Sequence, residues 1–207
     1  MATYGDMQTR IAAEIGRVDS TTALKNSIQD AITGFKNWRF LFNELSDTLT
    51  TIAGTSDYTT SNGLPTGIIE IDEMTVAYGG ATLTLSELTA SQYAIRNASI
   101  PQTQGVPTYY SWYGETLRLY PTPDAIYTVT MLYHGELSAL SADADTNAWT
   151  NKGEVLIRNT AKADLCANVL RDPQAAQLAQ STADLAFRAL RREYESRTLT
   201  GRLDPND

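Results

Sequence analysis

The hydrophobic period changes twice along this chain, and that change restricts its fold more than any other feature. Between Gly105 and His134 apolar and polar residues alternate. Leu117, Leu119 and Pro121 fall on one face, and so do Tyr127, Val129, Met131 and Tyr133. A period of two marks strands with one buried face. The two ends of the chain repeat instead every three to four residues, as helices do. The pattern therefore predicts an α+β protein: a helical bundle made by the N- and C-terminal segments, with an antiparallel β sandwich or barrel inserted between them. The boundaries follow the change of period. Residues 1–46 and 153–199 form the bundle, 47–140 the β module, 141–152 a connecting loop and 200–207 a polar tail.

Met7, Ile11, Ile15 and Val18 place a first helix over about Tyr4–Arg17. Asp19, Ser20 and Thr21 offer its break and the cap of a second helix. That helix carries Leu24, Ile28, Ile32, Phe35 and Trp38 on one stripe, and Trp38-Arg39-Phe40-Leu41-Phe42 reads as core where helix meets sheet. Thr-rich strand candidates then flank Gly54, at Thr48–Ile52 and Asp57–Thr60. Ile68–Ile71 and Met74–Tyr78 read as two further strands, and Gly79-Gly80 as a hairpin turn into Thr82–Leu85. Ser86–Arg96 predicts a short helix crossing between sheets, and Pro121–Ala125 a hairpin-like link between the strands around it. Glu154–Leu170 is helical. Asp172-Pro173 stops that helix and starts the last one, with proline in its favoured first position. Ala175, Leu178, Ala179, Thr182, Leu185, Ala186, Ala189, Leu190 and Tyr194 supply its apolar side.

Charge narrows the function. The net charge is −8. Residues 51–150 carry ten acidic side chains against two basic ones, Arg96 and Arg118, which accounts for the whole excess. Gripping nucleic-acid phosphates requires clustered Lys and Arg, so tight nucleic-acid binding is not expected. An acidic surface that DNA merely passes remains compatible, because like charge prevents adhesion. No apolar run approaches the ~20 residues of a membrane span, and Met1–Glu14 has no secretory pattern. Cys166 is the single cysteine, set in a helical pattern where it reads as a small buried hydrophobe.

Catalytic and metal-binding constellations are not expected. His134 is the lone histidine and lies at a strand end without a nucleophile beside it. Asn97-Ala98-Ser99 matches a glycosylation sequon that needs a secretory route to matter. Asp143–Glu154 places oxygen donors at positions 1, 3, 5, 9 and 12 of a calcium-loop spacing. Ala148 occupies the position of the sharp-turn glycine and Lys152 adds positive charge, so the expected role is a polar loop that caps a helix.

The order of segments resembles the head-to-tail adaptor (connector) proteins of tailed bacteriophages, in particular the podovirus adaptors called tail tubular protein A. The segments that carry the resemblance are Phe35-Lys36-Asn37-Trp38-Arg39-Phe40-Leu41, Tyr58 with Leu64-Pro65, Gly105-Val106-Pro107-Thr108-Tyr109-Tyr110, Leu117–Pro123, Tyr127–Tyr133, and Asn147-Ala148-Trp149 ahead of Glu154–Ile157. The resemblance implies a non-enzymatic virion protein of the neck, assembled in the host bacterial cytoplasm, with no cofactor and no membrane contact. It implies rings of roughly twelve copies between a portal protein and a tail nozzle or tail tube protein, with DNA passing the lumen unbound. It also implies portal docking by the C-terminal segment, here Arg197, Leu199, Arg202 and Leu203, with Arg191 and Arg192 nearby. A carbohydrate-binding or tail accessory module is the alternative, on the aromatic set Tyr109, Tyr110, Trp112, Tyr113 and Tyr120. Alternation divides that set, with Tyr110 and Trp112 on one face and Tyr109 and Tyr113 on the other.

Overall fold

The computed structural model of the chain describes residues 2–16, 21–98 and 103–200, the side chains of 197–200 excepted. The chain divides into two compact units, one from Met1–Asn43 with Leu137–Asp207, the other from Glu44–Glu136. Each has its own hydrophobic core.

The helical unit contains α1 (Tyr4–Ile15), α2 (Thr21–Phe35), the single turn α4 (Ala148–Asn151), α5 (Glu154–Asp164) and α6 (Pro173–Thr200). A π-helical stretch, Leu165–Leu170, continues α5. The start of α1 is fixed by a capping box: Thr3 Oγ1 accepts from the Asp6 amide at 3.1 Å, and the Thr3 amide donates to Asp6 Oδ2 at 2.9 Å. Asp172 caps α6 without a reciprocal bond, its Oδ1 accepting from the amides of Gln174 and Ala175 at 3.1 and 3.0 Å. The apolar periods predicted from sequence supply the core. Met7 and Ile11 of α1, Leu24 and Ile28 of α2, and Leu156, Ile157, Ala161 and Leu165 meet with Phe40 and Trp149, all nearly inaccessible to water. Phe40 stacks on Phe42 with ring centroids 5.0 Å apart and meets Trp149 and Phe187 edge-on at 5.8 and 6.1 Å. Trp38 lies beyond the end of α2 and is 45% exposed, so the stripe assigned to that helix stops at Phe35.

The strands are β1 (Glu44–Thr50), β2 (Asp57–Tyr58), β3 (Ile68–Tyr78), β4 (Ala81–Thr84), β5 (Ser86–Glu87), β6 (Tyr109–Tyr113), β7 (Thr116–Tyr120) and β8 (Thr128–Gly135). They form two four-stranded sheets, ordered β1-β8-β3-β4 and β2-β7-β6-β5. Leu49, Met74, Val76, Val129 and Met131 from the first sheet share one core with Tyr58, Tyr110, Leu117 and Leu119 from the second. That is a sandwich, and the inward residues of β7 and β8 are the ones their alternation predicted. All strand pairs are antiparallel except β5–β6.

Three local expectations are corrected. Pro121–Ala125 does not link a hairpin, because β7 and β8 lie in different sheets. Prolines at 121 and 123 remove two backbone donors a ladder would need, and the chain changes sheet there. The true hairpin is β6–β7, turned at Gly114 and Glu115, both with positive φ of 59° and 57° as a two-residue primed turn requires. Ile68–Tyr78 is a single strand, not two. Its register on β8 shifts twice, between Ile68 and Glu70 and between Ile71 and Glu73, and such bulges break the alternation that sequence reading relies on. The helix predicted at Ser86–Arg96 begins later, as α3 (Ala90–Asn97), capped by Thr89. It joins β5 to the parallel β6 of the same sheet instead of crossing between sheets, and the change of sheet falls at Leu85.

Candidate docking interface

The last helix is the element on which a docking segment was expected. Its inner seam is small and aromatic: Ala179 and Ala183 are buried, and Ala186, Phe187 and Leu190 pack on the core. Leu178 and Leu185, assigned to the apolar side from sequence, are 72% and 66% exposed. They lie two turns apart on a second stripe with Thr182 and Ala189, also exposed. A 3.6-residue period cannot separate two adjacent stripes on one helix. The sequence assignment therefore mixed the two: Ala179, Ala186 and Leu190 do lie on the inner seam, Leu178, Thr182, Leu185 and Ala189 do not, and Ala183 and Phe187 complete the contact.

Near its end α6 is braced by aromatic and cationic groups. Trp38 meets Phe187 edge-on at 5.1 Å, and the Arg191 guanidinium lies 5.3 Å from the Trp38 ring centre. Arg191 also pairs with Glu195 at 3.1 Å, and Arg39 lies 5.9 Å over Tyr194. Arg191 is thus committed to the helix surface and to Trp38, while Arg192 is exposed. Arg197 and Leu199 lie on the last turn of α6, the backbone being helical through Thr200. Arg202 and Leu203 lie outside the described residues.

Asp143–Glu154 acts as a clamp on α1. The amides of Tyr4 and Gly5, two of the donors a helix start leaves without partners, donate to the carbonyls of Asp145 and Asp143 at 2.9 and 2.8 Å. Asp143 Oδ1 accepts from Gln8 and Lys25 at 3.0 and 3.1 Å. Those bonds hold its carboxyl below the ordinary range, Gln8 contributing most. Asp145 Oδ2 accepts from the amides of Ala142 and Ser141, both at 2.7 Å, and is likewise held down. Asn147 caps α4 through the Trp149 amide at 2.7 Å. Glu154 is buried and pairs with Arg10 at 3.0 Å and Arg158 at 2.9 Å, and Glu14 bridges Arg158 to Lys162. Four of the five residues that match a calcium spacing in sequence, Asp143, Asp145, Asn147 and Glu154, therefore serve separate protein partners. Among the described residues no group of three or more His, Cys, Asp or Glu side chains is placed to hold a metal ion. Cys166 is buried, and burial pushes its thiol pKa up. His134 is buried in β8 opposite Glu44 of β1 and Glu70 of β3.

In the β unit the aromatic set divides as its alternation predicted. Tyr110 is buried and Trp112 packs on the core, while Tyr109, Tyr113 and Tyr120 face outward. The outer face of that sheet is not an open platform, because α3 covers part of it. Arg96 of α3 lies 4.5 Å from the Tyr109 ring centre, and Tyr93 is buried. Charge separates with the units as well. Residues 44–136 hold ten carboxylates and two arginines, so the β unit carries the whole net charge of −8 and the helical unit balances to zero. No described helix is long and apolar enough to cross a membrane.

No curated protein matches the chain significantly. A family model does, the SU10 adaptor protein, over residues 2–205. With nearly its whole length matched, the chain belongs to the SU10 adaptor protein family of structural phage adaptors.

Proposed function

We propose that this chain is a head-to-tail adaptor of the phage neck, a ring subunit that joins the portal protein to the tail and borders the DNA exit channel. Family membership supports the adaptor role and binding to other virion components. The observation that carries the channel role is the partition of charge. A β unit with ten carboxylates and two arginines offers DNA no cationic grip, so the polymer slides instead of adhering. The partners on this reading are the portal, the tail nozzle or tube protein and further copies of the chain, in a ring of roughly twelve. Assembly takes place in the host cytoplasm. The C-terminal segment with Arg197, Leu199, Arg202 and Leu203 docks on the portal. It is polar beyond Thr200, with Leu203 its one large apolar residue there.

The experiment uses DNA-filled heads that lack this chain. Full-length protein is expected to restore tail-competent, DNA-retaining particles. Protein ending at Leu199 is expected to fold normally but restore fewer. Equal restoration by the truncated form would move portal docking to the helices or the β unit. Failure of the full-length chain to attach at all would end the adaptor reading.

A further inference from the structure

The two edges of the first sheet of the β unit are guarded unequally. One edge, β4, is exposed at all four residues, and Gly79–Leu85 contains neither a charged residue nor a proline. Soluble proteins guard edge strands with charge, proline or cover, because free N–H and C=O groups recruit another strand. β4 has only its shortness. The opposite edge, β1, is seven residues long and exposed at Ser46, Thr48 and Thr50.

The direction of each backbone group follows from the register. The Leu85 amide donates to the Met74 carbonyl at 2.8 Å, so the inward bonds of β4 fall at 85, 83 and 81. The N–H and C=O groups of Thr82 and Thr84 then point away from β3. At the other edge the Thr51 amide donates to the Tyr127 carbonyl at 2.9 Å. The outward groups of β1 are by the same rule those of Ser46, Thr48 and Thr50. With four antiparallel strands in the sheet, β1 and β4 run in opposite directions, and both present their free groups at residues of one face. A second copy's sheet therefore adds to this one antiparallel, without turning inner residues outward. The side chains match too. Thr48 pairs with Thr130, Thr130 with Thr75 and Thr75 with Thr84, one row across all four strands. Cross-strand threonine pairs are favourable, and an added copy extends the row.

We propose that copies of this chain join by continuing this sheet, the β4 edge of one copy pairing antiparallel with the β1 edge of the next. The inference rests on the ring reading above, because an edge-to-opposite-edge contact propagates around a ring while a β4–β4 contact stops at a dimer. The β units are acidic and repel one another at range, yet the β4 segment itself carries no charge. Added salt therefore strengthens the association, the reverse of a contact held by ion pairs.

The test is made on the full chain in assembled necks. Thr84→Cys is combined in turn with Ser46→Cys, Thr48→Cys and Thr50→Cys. The natural Cys166 is buried and adds little background. Mild oxidation is expected to give a ladder of covalent multimers for at least one pair, and no ladder for any single variant. Thr84→Pro removes an outward donor and leaves the bonds to β3 intact. It is expected to lower ring yield at least tenfold with unchanged melting of the monomer, whereas Thr84→Val, which keeps the N–H, assembles normally. Rings of normal mass without any mixed-edge cross-link overturn the proposal and leave the ring reading standing. Dimers from Thr84→Cys alone overturn it in favour of β4–β4 pairing. A chain that never exceeds monomer mass in any neck preparation overturns both.

Discussion

Phe40→Ala separates the two cores energetically. Phe40 has no exposed surface and contacts three aromatic rings with centroids 5.0, 5.8 and 6.1 Å away. Truncation of a fully buried phenylalanine costs about 3–5 kcal/mol, and the loss of three ring pairs keeps this site away from the lower end. At about 4 kcal/mol, the slowest helical amides exchange on the order of a thousandfold faster, since 1.4 kcal/mol is tenfold. Trp38 is the internal control. It is 45% exposed and retains one ring contact and one cation contact, so Trp38→Ala costs about 2 kcal/mol, roughly a thirtyfold change. Hydrogen exchange read by mass spectrometry distinguishes these. Peptides from α2, α5 and α6 are expected to accelerate, and peptides from β1, β3 and β8 to stay within about threefold of wild type. Equal acceleration in both sets would refute the independence of the cores. Equal effects of the two substitutions would refute the assignment of Phe40 as the buried member of the aromatic segment.

Gly153→Ala places a Cβ 2.7 Å from the Trp149 ring, which is 2% exposed; a loss of about 2 kcal/mol in urea unfolding is expected, and a neutral result would mean the ring has room to shift. Tyr110 is pushed up to about 12, by burial first and then by Glu87 and Asp72. Its folded pKa lies above its unfolded value, so its contribution is intact below pH 10 and is lost as pH rises from there towards 12. Stability is expected to fall across that window and to fall less in Tyr110→Phe; identical alkaline profiles would count against the burial argument. Glu115 holds a positive φ of 57° at the β6–β7 turn, and Glu115→Asn is expected to raise stability by about 0.5 kcal/mol, since asparagine tolerates that conformation; a lower melting temperature would count against strain there. Leu178→Ser with Leu185→Ser removes two exposed side chains from α6 and is expected to change the unfolding free energy of the monomer by less than about 1 kcal/mol; a larger loss would mean the outer stripe is packed.

The sequence was most legible where structure is local. Asp172 before Pro173 and the Gly79-Gly80 turn act within a few residues, and cap and turn follow from chemistry that distance in the chain cannot alter. Alternation in β7 and β8 named their buried faces correctly, because one sandwich core lies against both. What alternation could not name was the partner strand. β7 and β8 are adjacent in sequence but pair with β6 and β2, and with β1 and β3. Pairing is decided by total burial over the whole sandwich, which a short window does not contain. The same limit applies to Asp143–Glu154. Its spacing fits a cation loop, but Tyr4, Gly5, Gln8 and Lys25, more than a hundred residues away, take up the carbonyl and carboxylate oxygens at its start.

The α6 helix carries the remaining lesson about function. A helix with one partner needs one stripe, and α6 already has it in Ala179, Ala183, Phe187 and Leu190. Two exposed leucines seven residues apart give the monomer nothing in folding free energy and cost it solubility. The uncharged β4 edge has the same character, being unhelpful to a lone chain and useful to an assembled one. Both features are the kind a structural adaptor can keep, because its working state is an assembly and its surface is selected there. Single-sequence reading interprets apolar residues as core, so an exposed apolar stripe such as Leu178 and Leu185 is the surface it misassigns.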